Sequence, residues 1–286
     1  MTPERKGGDL VTVAPNETAE PTFSAAFFDL DKTIIAKSST LAFSRSFYEG
    51  GLISRKSVLR TSYAQFVYLF GGADHDRMER MRRYLSELSS GWHVETVKDI
   101  VAETLHHIVD PMVYDEAVDL IEQHHAAGRD VVIVSTSGAE VVEPIGAMLG
   151  ADRVIATVMV QDQGRYTGAI EFYAYADNKA LAVRELAQQQ GYDLETSYAY
   201  SDSMTDVPML EAVGHPYAVN PDKALRRVAI ERKWPVLDFT RPVKLRRRVS
   251  FAPRRTALAA LVVGVVAGVA GAIVFASRRH RQLAAA

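Results

Sequence analysis

Residues 22–33 read TFSAAFFDLDKT. The apolar run ending in Ala25-Ala26-Phe27-Phe28 suits a buried strand, and it stops at Asp29-Leu30-Asp31-Lys32-Thr33. From about Thr40 to Ile108 the pattern turns helical, punctuated by Gly50-Gly51, Gly71-Gly72 and Gly91. After Pro111 the chain alternates. A helical stretch, VYDEAVDLIEQHHAAG, leads to a strand at Val131–Val134 with Ser135 at its end. A second helix precedes a strand at Val154–Val160, a hairpin turn at Gln161–Gly164 and a return strand, Arg165–Ile170. The helix NKALAVRELAQQQG leads to a strand at Ser197–Tyr200, and Tyr217–Val219 and a helix at Asp222–Arg232 follow. Strands alternating with helices predict an α/β fold, a Rossmann-like parallel sheet covered on both faces, with a helical insert after its first strand. The expected boundaries are a leader at 1–21, a core at 22–36 and 110–240, and the insert at 37–109.

The 286 residues carry a formal net charge of −2, distributed unevenly. No acidic residue follows Asp238, whereas ten lysines and arginines do, which leaves residues 1–240 with 23 basic against 35 acidic, a net of −12. An acidic body argues against nucleic acid as a partner, because that binding rests on phosphate neutralisation. Cysteine is absent, so disulfides, thiolate metal sites and cysteine nucleophiles are excluded. Residues 1–21 lack the apolar run of a signal peptide and read as a disordered leader.

Residues 257–276, ALAALVVGVVAGVAGAIVFA, are all apolar or glycine. Twenty residues of helix span about 30 Å, the thickness of a bilayer's hydrocarbon, so this window is expected to be a transmembrane helix. A basic linker, 241–256, precedes it and a tail, 277–286, follows. Seven basic residues from Arg241 to Arg255 against three from Arg278 to Arg281 predict a single-pass cell-membrane protein with the domain that precedes the helix cytoplasmic. Ala260, Gly264, Gly268 and Ala272 recur every four residues, and such a face permits a dimer through this helix.

Acidic residues gather where strands end: Asp29 and Asp31 after the first strand, Asp202 and Asp206 after Ser197–Tyr200. Ligand sites of open α/β sheets lie at that rim. Ser135 reaches it too, and Lys179 opens a helix beside it. Alone, a D-x-D-x-T string also reads as a helix-capping turn, and Ser135, Lys179 or the Asp202–Asp206 pair as ordinary solvated groups. Together they have a chemistry. Clustered carboxylates are tolerated around a hard cation such as Mg²⁺, which leaves positions for phosphate oxygens. A lysine and a hydroxyl suit the remaining oxygens, one carboxylate is left to attack phosphorus, and another to move protons. That is phosphoryl transfer.

FFDLDKT, VVIVSTSG, DNKALA and YSDSMTDVPML resemble the four motifs of the haloacid dehalogenase superfamily of phosphohydrolases. The insert and the hairpin QDQGRYTG resemble its subgroup IB, which contains the phosphoserine phosphatases, and the chain is similar to membrane-anchored actinobacterial members of that subgroup. The resemblance implies Asp29 as the nucleophile that forms an aspartyl-phosphate and Asp31 as the acid and base. It implies Mg²⁺ held by Asp29, Asp202 and the Asp31 main-chain carbonyl, with Asp206 in support. Ser135 and Lys179 match phosphate ligands; Thr33 and Thr136 join them on the substrate side, Thr33 by holding the first loop. The insert matches a movable cap that excludes water and selects substrate.

Three departures stand out. Phosphoserine phosphatases carry a glutamate shortly after the first motif, whereas Ile34–Phe43 has no acid and contains Lys37. Thr136 replaces a usual glycine and Thr205 a frequent asparagine. The expectation is a membrane-anchored, Mg²⁺-dependent phosphomonoester hydrolase that does not favour phosphoserine. A lipid-phosphate phosphatase and a membrane-tethered regulator with a secondary site are the alternatives. His106-His107 and His124-His125 are expected at solvated helix ends, Trp92 and Trp234 as packing residues, and Tyr63, Phe66, Val67 and Phe70 as cap packing.

Overall fold

The computed structural model describes residues 23–53, 83 and 86–242. The leader, the Tyr63–Phe70 stripe, most of the basic linker, the 257–276 window with its small-residue face, and the tail lie outside the described residues. Among those described, no helix is long and apolar enough to cross a membrane.

Seven strands form one sheet in the order β4-β3-β2-β1-β5-β6-β7, parallel except for the β3–β4 hairpin. The strands are β1 (Ala25–Asp29), β2 (Asp130–Gly138), β3 (Arg153–Asp162), β4 (Arg165–Phe172), β5 (Tyr198–Ser201), β6 (His215–Val219) and β7 (Val236–Leu237). β1 is central and buried throughout. Alternate residues of a strand face opposite ways. Ala26 and Phe28 join one apolar cluster with Val131 and Ile133, while Ala25 and Phe27 join a second with Val132 and Val134.

The first cluster is covered by α3 (Val94–Val109), α4 (Asp115–Ala126) and α5 (Ala139–Leu149). The second is covered by α6 (Asp177–Gln190), α7 (Val207–Leu210) and α8 (Lys223–Arg232). Two short helices, α1 (Ser39–Ala42) and α2 (Ser44–Glu49), begin the insert. Register sets the rim. Asp29 lies opposite Val134, and Phe28 opposite Tyr200, so Ser135 flanks Asp29 on one side and Asp202, just past the end of β5, on the other.

The structure departs from the sequence reading at several points, among them a seventh strand, β7, and the pairing of Gln161 and Asp162 within β3 rather than the turn. β2 does not stop at Ser135 but continues to Gly138, with a register irregularity against β3 between those residues. Asp222 does not belong to α8; it caps the helix by accepting from the amides of Ala224 and Leu225. His124 is not solvated: it is 4% exposed, and its Nε2 lies 2.8 Å from the Tyr200 hydroxyl. Burial, with Arg129 and His125 nearby, lowers its pKa to about 4, so it is neutral at physiological pH. Trp92 does pack, against Phe47 at 5.9 Å, and Trp234 lies under the Arg232 guanidinium at 5.1 Å.

The insert's last helix is continuous with the body. Val97, Val101, Leu105 and Val109 of α3 form an i, i+4 stripe buried in the cluster that holds Val142 and Ile145 of α5. Val101→Ala is therefore expected to lower the unfolding free energy by about 2 kcal/mol, as a buried-core truncation does. Chemical denaturation checks this; a change within about 0.5 kcal/mol, typical of a surface site, would place α3 outside the cooperative core.

Candidate active site

The side chain of Lys179 is 2% exposed, yet it carries a charge. Its Nζ donates to Asp29 Oδ1 at 2.7 Å and to Asp206 Oδ2 at 2.8 Å. The Ser201 hydroxyl donates to the same Asp206 oxygen at 2.7 Å, and Thr33 Oγ1 donates to Asp29 Oδ2 at 3.3 Å. Lys179 reaches inward because it lies in the first turn of α6, whose N-cap, Ala176, has φ 49° and ψ −124° and turns the chain sharply into the helix. Few residues other than glycine adopt such a backbone, and the strain sits at the turn that aims the lysine.

The electrostatics follow from burial. Loss of water pushes Asp29 up to about 7; Lys179 opposes this, while Asp206 and Asp31 add to it. Burial alone would lower Lys179, but Asp206 and Asp29 outweigh it and hold the ammonium charged, above its ordinary value. Asp31 is raised chiefly by burial, against the hydrogen bond its Oδ1 accepts from the Ser39 amide at 2.8 Å. Asp202 is raised well above the carboxylate range by burial and then by the Asp29 charge. Its nearest cation is Lys32, whose Nζ is 3.9 Å away and 43% exposed. Lys32 itself has φ 64°, the left-handed turn that separates Asp31 from Thr33.

One buried lysine and one half-exposed lysine thus serve four carboxylates, and Asp29 and Asp202 disfavour each other's charge. This donor set fits a hard divalent cation, which takes one or two carboxylates and keeps the rest of its positions for carbonyls, water or phosphate oxygens. Among the described residues no three histidine, aspartate or glutamate side chains group as ligands of one ion, so a cation here would rest on one or two carboxylates together with carbonyls and water.

On the other side of Asp29, Ser135 is buried, and its Oγ accepts from the Ser137 amide at 3.2 Å. The Thr136 hydroxyl donates to the Ala174 carbonyl at 2.9 Å, bracing β2 against the segment that leads into α6. Thr205 pairs with the Ser203 hydroxyl at 3.0 Å. The structure thus gathers Asp29, Asp31, Thr33, Lys179, Asp202 and Asp206 into one contiguous site, with Ser135 on its rim.

It adds groups that the motifs did not single out. Ser201 orients Asp206, Lys32 faces Asp202, and Ser39 and Thr40 of the insert meet the Ser137 hydroxyl at 2.8 and 3.1 Å. The run Ser135-Thr136-Ser137 was the available signal for Ser137; nothing local marks Ser39. The histidine pairs take no part. His106 faces Asp110 at 3.3 Å and His125 faces Asp152 at 3.0 Å.

The lysine makes a testable demand. Lys179→Met leaves two carboxylates buried without their cation and is expected to cost about 3–5 kcal/mol at neutral pH. In this variant Asp29, already raised by burial, holds its proton to higher pH in the folded chain than in the unfolded one. Stability is then retained at acidic pH and lost as pH rises through the folded pKa. Thermal unfolding checks this: the deficit against wild type should shrink at pH 5 and grow at pH 8. A deficit independent of pH would show that the lysine acts through packing alone.

The comparisons with known proteins agree with this geometry. A family model described as haloacid dehalogenase-like hydrolase matches residues 26–211. An "inhibition of morphological differentiation protein" of Streptomyces azureus is 65% identical over 91% of this chain and 96% of its own. A probable phosphatase of Mycobacterium tuberculosis is 56% identical over 93% of both chains. Among solved structures, a Bordetella pertussis protein of unknown function superposes with a TM-score of 0.67 at 30% identity, over 76% of this chain and 99% of that one. This chain belongs to the haloacid dehalogenase-like hydrolases.

Proposed function

We propose that the chain is a Mg²⁺-dependent phosphomonoester hydrolase working through an aspartyl-phosphate on Asp29, within the subgroup of the phosphoserine phosphatases. The observation that carries this reading is the buried bridge from Asp29 through Lys179 to Asp206, beside Asp202 at the strand ends. The bond from Lys179 to Oδ1 and that from Thr33 to Oδ2 fix the plane of the Asp29 carboxylate. An ammonium has three donors. Lys179 spends two on carboxylates, which leaves one for a phosphate oxygen.

A carboxylate oxygen of Asp29 attacks phosphorus as the ester P–O bond breaks. Asp31, whose carboxyl is raised above its ordinary value by burial, gives its proton to the departing oxygen. Asp31 then takes a proton from water, whose oxygen attacks the phosphorus, and Asp29 departs as a free carboxylate. A divalent cation held by Asp29, Asp202 and the main-chain carbonyl of Asp31 would neutralise the charge on the phosphate oxygens. The M. tuberculosis relative, a probable phosphatase, supports this assignment.

The same reading places the chain at the cell membrane through residues 257–276, with the catalytic domain cytoplasmic and a dimer through that helix as an option. Its substrate is a small phosphorylated metabolite or, in the second reading, a lipid phosphate at the bilayer surface. The S. azureus relative, called an inhibitor of morphological differentiation, favours a regulatory setting for the same phosphatase site. Phosphoserine is not the expected substrate. Of the stretch after the first motif, Ile34, Ile35 and Phe43 are buried in the core, Lys37 is exposed, and no acid faces an amine.

Hydrolysis of p-nitrophenyl phosphate by the purified chain with Mg²⁺ tests the proposal. Asp29→Asn should abolish turnover with the fold retained. Asp31→Asn should lower the rate by about 10²–10⁴, the usual worth of acid–base help. Near-wild-type rates in either variant would overturn the assignment.

Metal binding has its own readout. Asp29 releases its proton near pH 7 in the folded chain against an ordinary value of 3.8, so its burial costs stability as pH rises between the two. Mg²⁺ offsets that cost only where the carboxylates are charged. Its addition should raise the unfolding temperature more at pH 8 than at pH 5.5, and an equal rise at both would place the cation elsewhere.

A further inference from the structure

The loop after β1 fixes the backbone of Asp31 and leaves its side chain to be held from elsewhere. The amides of Ile34 and Ile35 both donate to the Leu30 carbonyl at 3.0 Å, and the Lys32 amide donates to the Ile35 carbonyl at 2.6 Å. Leu30, Thr33, Ile34 and Ile35 are buried, so packing secures this closed turn as well. Asp31 itself is only half-buried.

Ser39 supplies the hold on the side chain. Its amide donates to Asp31 Oδ1 at 2.8 Å, and its hydroxyl adds a bond to the same carboxyl group. Ser39 is buried, and its hydroxyl also lies 2.8 Å from that of Ser137, which meets Thr40 Oγ1 at 3.1 Å. The Ser137 amide in turn donates to Ser135 Oγ at 3.2 Å. A line of hydroxyls therefore ties Ser39 to the end of β2, and every one of these contacts lies within residues 31–40 and 135–137.

The place of Ser39 in its helix frees that amide. Ser39 is the first residue of α1, and amides of a helix's first turn have no partner in the helix's own ladder. A carboxyl group with one oxygen facing a fixed donor has one oxygen left for its proton. Oδ1 accepts from the amide whether Asp31 is protonated or not, because a protonated carboxyl keeps an acceptor oxygen. A proton on Oδ1 would instead face the amide hydrogen.

We propose that Ser39 is a positioning residue for the acid step: its amide, bonded to Asp31 Oδ1, confines the transferable proton to Oδ2 and turns that oxygen towards the departing group. The proposal rests on the phosphatase reading of Asp29 and Asp31. As a bond forms between the Asp29 carboxylate and phosphorus, the ester P–O bond breaks and the proton on Oδ2 passes to the ester oxygen, which leaves as an alcohol. Asp31 is left as a carboxylate, and the Ser39 donors meet the charge that develops on it. Burial opposes that charge, and these donors oppose burial.

The amide is removable without unmaking the helix. Proline is favoured at the first helical position, where its missing N–H costs no ladder bond. Ser38 has φ −68° and ψ 127°, the extended backbone that a residue before proline adopts. Ser39→Pro in the full chain therefore takes the donor from Asp31 Oδ1, and steady-state kinetics on two substrates of similar size reads the result. p-Nitrophenyl phosphate releases a stabilised phenolate that needs little proton transfer, whereas benzyl phosphate releases an alkoxide that needs it.

In Ser39→Pro, kcat/KM for benzyl phosphate should fall about ten- to a hundredfold, part of the roughly 10²–10⁴ that acid–base help is worth. For p-nitrophenyl phosphate it should stay within about threefold of wild type. In an Asp31→Asn chain the same substitution should leave the ratio between the two substrates unchanged, since no proton remains to be placed. Ser39→Ala keeps the amide and removes the hydroxyl; it should shift the ratio in the same direction by less, and it decides the matter should Ser39→Pro not fold. An unchanged ratio, whether both substrates slow together or neither does, would overturn the proposal, as would an equal shift in the Asp31→Asn chain. A wild-type chain that hydrolyses no phosphomonoester would refute the phosphatase reading instead, and the role of Ser39 with it.

Discussion

The buried ammonium of Lys179 holds two carboxylates, Asp29 at the end of the central strand and Asp206 in the turn that follows its neighbour. Remove that cation and the rim of the sheet becomes a cluster of uncompensated negative charge. With it, Asp29 is fixed in position while its own charge stays costly, because burial and Asp206 and Asp31 oppose it. A carboxylate in that condition is poised to give up its charge to something better than a proton. A phosphoryl group held among cations answers that need.

The fold supplies this arrangement through registry. The central strand is apolar on both sides, so it can only sit between neighbours in the middle of a covered sheet. Its end is level with Val134, which puts Ser135 on one flank and Asp202 on the other. The strained turn at Ala176 then brings Lys179 across from the far face. Four chain segments distant in sequence meet at this edge, and Ser39 of the insert reaches it as well.

The legible part of this fold was the part written in local pattern. FFDLD, VVIVS and YSDSMTD announce strands that end in polar groups, and their shared rim follows from parallel topology. The illegible part depends on contacts distant in sequence. His124 looks like a solvated helix residue until Tyr200 meets it from 76 positions away. Helix Val94–Val109 has an i, i+4 stripe that suits a cap as well as a core, and its burial with Val142 and Ile145 is not legible in that spacing. Ser39 carries no motif at all, since its amide and hydroxyl act on the Asp31 carboxylate and the Ser137 hydroxyl that the fold brings to it. The apolar window at 257–276 is as plain as any feature of the sequence, but it lies beyond the described residues.

The central claim is that Asp29 carries the phosphoryl group during turnover, and one chemical trap reads it directly. Borohydride added to the full chain as it turns over p-nitrophenyl phosphate with Mg²⁺ reduces an acyl phosphate to an alcohol, converting an aspartyl-phosphate to homoserine. Peptide mass spectrometry should then find homoserine at position 29, dependent on substrate and absent when Asp29 is replaced by asparagine. Homoserine at another aspartate, or none at all while hydrolysis proceeds, would contradict the account.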